Sequence, residues 1–420
     1  MQALEEMFER ATTTGKLPGI VLAAASRDGS LEYFKPFGKS RLEEDSPPVS
    51  SDTTFCLASV TKLVTSVAAM QVVERGLVGL DDDITKFVPE WKYPQILVGF
   101  RGEEHREKPL LIPAQNRITL RQLLSHSSGI ASLDEEKLMK YYTVLGDSRG
   151  TVLLRYFKNN DPEIKAKALE EIRQVMGSLS VEPLFFEPGT SWTYGQSTDW
   201  AGQIVERVTN MTLEQYCQEN IFKRLGMTHT TYRLLDNPHV AANLIQMTSR
   251  DPEGTVQPVE SVYPIDPKVD MGGSNLYTSG TDFLKLLSSL LRNDGNLLRP
   301  ETTDLMFNYS LPKTEIFRQF RTNPEHLKDN FGDLAPVGME VDHCLAGMVN
   351  QRDLLGGRKA GSITWQGATR CYWWIDRTAG LCGFYGSQIM VVHDQGVTRG
   401  FIREFEKTLY DVYEPAAIHR

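Results

Sequence analysis

The sequence predicts an α+β protein in which an antiparallel sheet, flanked by terminal helices, is joined to a mainly helical lobe. Three observations predict it. Both ends of the chain combine a helical stretch with short β-prone runs, and helical periodicity dominates the long middle. The chain also has 420 residues and 40% hydrophobic content, enough to bury a two-part core.

Taken in order, the opening segment MQALEEMFERATTTGK sets apolar residues at helical spacing among charges. Gly19 to Ser26 and Leu31 to Phe37 then read as two strands joined by the turn Arg27-Asp28-Gly29-Ser30. From Ser59 the apolar residues Leu63, Val64, Val67, Met70 and Val73 keep a helical rhythm that Gly76 ends. Glu163 to Met176, Asp199 to Val208, Thr212 to Leu225 and Thr281 to Leu291 are helical stretches separated by Pro- and Gly-rich loops. Near the end, Gly361 to Trp365, Cys371 to Asp376 and Leu381 to Gly386 are β-prone, and Thr398 to Tyr413 returns to helical periodicity. The economical assembly makes residues 1–80 and 345–420 one α/β lobe and residues 81–344 a helical lobe, with a cleft between them.

The charge balance of 45 basic against 54 acidic side chains, net -9, speaks against a nucleic-acid partner. The opening segment lacks the apolar core of a signal peptide and no stretch is long enough to span a bilayer, so the expectation is a soluble, cytoplasmic protein with no membrane partner. Five cysteines, scattered and odd in number, read as reduced core residues.

Three segments carry candidate chemistry. Ser59 and Lys62, in Ala58-Ser59-Val60-Thr61-Lys62, stand three residues apart where a helix begins, so both side chains can share one face. A serine hydroxyl needs an adjacent base to act as a nucleophile, and a lysine serves as one only when burial or neighbouring cations depress its ammonium. The spacing recurs at Ser310-Leu311-Pro312-Lys313, where proline and loop-like surroundings make it accidental. The second segment, Glu187 to Ser197, runs through a turn into a short extended stretch with Tyr194 at its exit. Tyr194 is either a loop aromatic over the core edge or a proton relay that titrates together with Lys62. The third, Gly361 to Ala368, is a strand whose small residues let backbone approach a ligand, with amides able to complete an oxyanion hole. His126, between Ser125 and Ser127, reads as a structural residue. His343 beside Cys344 finds no further metal ligand at suitable spacing, so neither metal nor cofactor is expected. Tyr372-Trp373-Trp374 is sheet core or, on one face, a border of the cleft.

In this order and separation the three segments resemble the Ser-x-x-Lys, Tyr-x-Asn-like and Lys-Thr-Gly-like motifs of the class C β-lactamase-like serine hydrolases. Leu123 to Gly129, Leu225 to Thr228 and Gly272 to Leu276 are similar to recurrent segments of that family. Thr193-Tyr194-Gly195, Glu260 to Tyr263 and Gly380-Leu381-Cys382 look closest to its fungal transesterase branch of lovastatin-type acyltransferases. The resemblance implies the serine β-lactamase-like fold, with Ser59 as nucleophile and Lys62 and Tyr194 as its proton-transfer partners. It also implies Trp365, Gln366, Gly367 and Ala368 as the oxyanion and substrate-binding strand. It further implies a small-molecule alcohol acceptor and a thioester donor carried on an acyl carrier protein or CoA.

Two departures bear on substrate. Trp365-Gln366-Gly367 stands in place of the triplet whose lysine holds a lactam carboxylate, and Gln196 stands in place of the second motif's Asn. Both favour esters or thioesters over β-lactams. The expected function is therefore acyl transfer from a thioester through a Ser59 acyl-enzyme to a hydroxyl of a secondary metabolite. Hydrolysis on the same fold and a non-catalytic binding role are the alternatives.

Overall fold

The computed structural model describes residues 1–103, 106–159, 161–331, 334–391, 394 and 396–413. Its main sheet takes strands from both ends of the chain: β1 (Ile20–Ser26), β2 (Glu32–Phe37), β3 (Val341–His343), β4 (Met348–Asn350), β5 (Ile363–Gln366), β6 (Tyr372–Asp376) and β7 (Leu381–Gly386). The spatial order is β3-β4-β5-β6-β7-β1-β2 and every pairing is antiparallel. The β1–β2 turn follows from its residues: Gly29 takes φ +76°, and the Asp28 carboxylate accepts from the Ser30 amide at 3.0 Å.

Helices α1 (Gln2–Thr13), α2 (Lys62–Glu74), α3 (Ser197–Thr209), α4 (Gly280–Arg292) and α5 (Val397–Val412) pack around the sheet and the cleft. The pleat sends alternate side chains of β6 to opposite sides. Tyr372 and Trp374 join Phe8 of α1 and Phe405 and Leu409 of α5, whereas Trp373 enters the main core with Phe384 and Phe283. Trp374 lies over its register partner Gly383, where an added Cβ would sit 2.2 Å from the indole ring, so only glycine fits. A buried Arg358–Glu406 ion pair at 2.8 Å, with Arg358 also donating to the Tyr372 hydroxyl at 2.8 Å, ties α5 to the sheet. The aromatic run is thus sheet core on both faces and does not border the cleft.

The sheet reaches further into the middle of the chain than the expected boundary at residue 345. β3 forms its far edge, and α4 packs on its inner face through Phe283 against Phe384. The expected helix from Thr212 to Leu225 contains a π turn at Gln218–Phe222 between Leu213–Cys217 and Lys223–Leu225. All five cysteines are buried and unpaired. Among the described residues no helix is long and apolar enough to cross a membrane.

Candidate active site

Ser59 sits at a strand-to-helix junction. The short strand Thr54–Cys56 pairs with Tyr277–Ser279, and the chain then enters a 3-10 turn, Ala58–Thr61, that runs straight into α2. Ala58 takes φ +47°, a conformation that costs an L-residue about 1–2 kcal/mol and persists only where its surroundings hold it. Here the Leu57 amide donates to the Leu276 carbonyl at 2.9 Å, and the Leu276 amide to Thr61 Oγ1 at 3.1 Å. Gly367, following β5, lies against the same junction: an added Cβ would meet the Leu57 carbonyl at 2.4 Å. The Ala368 backbone is thereby brought beside Ser59, both lining one cleft of about 710 Å³. Among the described residues the Ala368 amide donates to no other protein group.

Lys62 is buried in the first turn of α2. Its Nζ donates to the Gly273 carbonyl at 2.8 Å, lies 3.5 Å from Ser59 Oγ and stands 4.7 Å from the centre of the Tyr194 ring. The Tyr194 hydroxyl donates to Ser59 Oγ at 2.5 Å. Hydroxyl, amine and phenol, 135 residues apart at the extremes, thus meet at one point.

The Tyr194 stretch is positioned by the loop around His126. The Thr193 amide donates to the His126 carbonyl at 3.0 Å, and the Gly189 amide to the Ser127 carbonyl at 2.8 Å. An added Cβ on Gly195 would fall 2.4 Å from the Ala131 carbonyl carbon. His126 itself takes φ +55° and sets its ring 4.9 Å from that of Tyr194. Burial, and after it the neighbouring His343 and Lys62, holds the His126 imidazole well below its ordinary pKa, so it is neutral at pH 7. His343, 5.4 Å from His126, is lowered to about 4 by burial, and its Nδ1 lies 2.6 Å from the Cys344 carbonyl, which fixes the proton on Nδ1.

Trp365 stands 5.3 Å from Tyr194 and completes an aromatic wall with Trp192, which stacks on Phe320 at 4.4 Å. Trp365, Gln366, Gly367 and Ala368 all line the cleft with Ser59 and Tyr194, while Lys62 lies beneath its lining and reaches it only through Ser59 Oγ. Ser310 and Lys313 are both exposed and play no part in it. Other cleft residues escaped sequence reasoning. Phe320 and His326 arrive on the helices Glu315–Arg321 and Pro324–Asn330, which carry no motif. Arg370 and Arg399 also line the cleft, Arg370 donating from Nε to buried Asp394 at 2.8 Å, so cationic groups enter from positions other than the third motif.

The antiparallel sheet with its terminal helices and helical lobe is the β-lactamase-like fold, and the chain belongs to the Beta-lactamase family, whose model matches residues 4–405. Its relatives place it among the acyltransferases of that family. It is 33% identical to a Monacolin J acid methylbutanoyltransferase of Aspergillus terreus over 98% of this chain and 96% of that protein. It is also 32% identical to a Lovastatin esterase of Penicillium rubens, over 98% of each chain. The unliganded, selenomethionyl Simvastatin Synthase from Aspergillus terreus superposes with a TM-score of 0.84 at 30% identity, covering 99% of both chains.

Proposed function

We propose that the protein transfers an acyl group from a thioester, through an ester on Ser59, to a hydroxyl of a secondary metabolite. The observation that carries this reading is the contact of Ser59 Oγ with the Tyr194 hydroxyl at 2.5 Å and the Lys62 amine at 3.5 Å. Ser59 Oγ attacks the thioester carbonyl as its proton passes to the Lys62–Tyr194 pair. The oxyanion rests on the amides of Ser59 and Ala368. The carbon–sulfur bond then breaks and the thiolate leaves with the proton. In the second half an alcohol gives its proton to the same pair as its oxygen bonds to the acyl carbon; the acyl carbon–Oγ bond breaks and the pair returns that proton to Oγ, which restores Ser59. An oriented alcohol gains effective molarity that bulk water lacks.

The donor in this reading is a thioester on an acyl carrier protein or CoA, and the acceptor a polyketide-type alcohol, which suits a cleft walled by Trp192, Phe320 and Trp365. The setting is the cytoplasm. The similarity to Lovastatin esterase favours a second reading in which water resolves the acyl-enzyme. A competition assay separates them: a short acyl thioester is supplied with a panel of polyketide alcohols, and ester and free acid are quantified. Ester in excess supports transfer. Free acid dominant with every alcohol selects hydrolysis.

A further inference from the structure

Lys62 is held by a peptide group. Its Nζ donates to the Gly273 carbonyl at 2.8 Å, and the amide of that same residue donates to Oδ1 of Asp199 at 2.8 Å. Asp199 lies in the first turn of α3, is 4% exposed and, among the described residues, forms no direct ion pair. Gly273 has no room for a side chain, because an added Cβ would stand 2.6 Å from Asp199 Oδ2. One residue earlier, Thr65 of α2 donates from Oγ1 to the Gly272 carbonyl at 2.6 Å. The loop is therefore pinned between α2 and α3 with one carbonyl aimed at Lys62.

A buried carboxylate without an ion pair is costly, and its presence asks for a role. Burial raises the Asp199 pKa, against which the charge of Lys62 and the Gly273 amide pull it down. Polar groups around Lys62 come from every side: Ser59 before it on the chain, Tyr194 and neutral His126 from the loops, and the Gly273 peptide backed by Asp199 from α3.

We propose that Asp199 is a positioning residue: by holding the Gly273 peptide it fixes the Lys62 amine beside Ser59. This rests on the reading of Lys62 as a proton carrier. Without the carboxylate the Gly273 amide loses its acceptor, the loop relaxes, and Nζ follows its carbonyl away from Ser59 Oγ. A displacement of about 1 Å in such a group costs on the order of a hundredfold in rate.

The experiment is single-turnover acylation by a short acyl thioester, followed by intact-protein mass. It compares wild type, Asp199→Ala, Asp199→Asn, Lys62→Ala and the Asp199/Lys62 double variants, each checked for folding by circular dichroism. Asp199→Ala is expected to acylate about a hundredfold more slowly at an unchanged half-saturating thioester concentration. Asp199→Asn, whose amide oxygen still accepts from Gly273, should recover roughly tenfold of that loss. Because Asp199 acts through Lys62, the double variant should be no slower than Lys62→Ala alone. A folded Asp199→Ala protein that acylates at the wild-type rate overturns the proposal, as does a double variant whose defect is the product of the two single ones. Should Asp199→Ala not fold, the pair Asp199→Asn and Lys62→Ala carries the same non-additivity test. Wild-type acylation by Lys62→Ala would instead remove the premise about Lys62, a distinct result because Asp199 is intact in it.

Discussion

Two stretches of this chain place a serine three residues before a lysine, at Ser59–Lys62 and at Ser310–Lys313. In the first, the serine lies at a strand-to-helix junction and the lysine is 8% exposed, anchored on a carbonyl and stacked on a tyrosine. In the second, both residues are exposed in the loop after the helix Pro300–Asn308. The difference teaches that spacing confers no chemistry. Burial of the amine, a third group within hydrogen-bond reach and a backbone that aims the hydroxyl into a cleft do.

The largest effect expected from this contrast is at Ser59. Ser59→Ala should lose acyl-enzyme formation on the order of 10⁴-fold or more while keeping its thermal unfolding midpoint, since the change removes a nucleophile and little packing. Retained turnover would break the contrast at its root. Lys62→Ala and Tyr194→Phe should each lower acylation about 10³-fold or more, and the double variant should be little worse than either. Rates that simply multiply would mean that the two residues do not share a proton.

A smaller effect separates the core aromatics from the cleft aromatics. Trp374→Ala should destabilise the fold by about 3–5 kcal/mol in urea titration and leave the ranking of acceptor alcohols unchanged. Trp365→Ala should reorder that ranking. The opposite assignment would return the β6 aromatics to the cleft.

Acid should act through His343, whose imidazole is held at about 4 by burial. Between that value and the unfolded histidine pKa of about 6.5 the unfolded chain binds more protons. The stability that the neutral imidazole allows is therefore fully present above about pH 6.5 and is lost, by about 3 kcal/mol, as the pH falls toward 4. Because buried His126 is also held well below its ordinary pKa, His343→Gln should reduce the slope of that part of the urea midpoint against pH curve without abolishing it, and an unaltered slope would assign the acid sensitivity elsewhere. The smallest effect belongs to the second tetrad: Ser310→Ala and Lys313→Ala should leave acylation rate and stability alike unchanged.

Much of the fold was legible because local signals agreed with tertiary structure. The Asp28-Gly29 turn fixed the β1–β2 hairpin, and helical rhythm ended by Gly76 marked α2 closely. β3 and β4 were not legible: each is three residues long, too short for alternation to show, and β3 contains Asp342 and His343. Their strand state comes from pairing at the edge of a sheet whose other members are drawn from both ends of the chain. Ser59, Lys62 and Tyr194 could be read because the segments that carry them resemble motifs of the family in order and separation. The link between Asp199 and Gly273 could not, since an aspartate in a first helical turn usually serves the helix dipole and the hydrogen bond between the two spans 74 residues. His126 read as structural; it follows the C-terminus of the helix Leu120–Leu124, and its ring contact with Tyr194 had no local signal.

The account's central claim is an ester on Ser59 that passes to an alcohol. Its most direct test is proteolysis and peptide mass spectrometry of the protein quenched after mixing with a short acyl thioester, repeated after adding a polyketide alcohol. The account predicts the acyl mass on the Ser59 peptide, its discharge as the alcohol's ester, and no loading of Tyr194→Phe on the same timescale. An unmodified Ser59 peptide, or an acyl group found on Ser310 or another side chain, would contradict it.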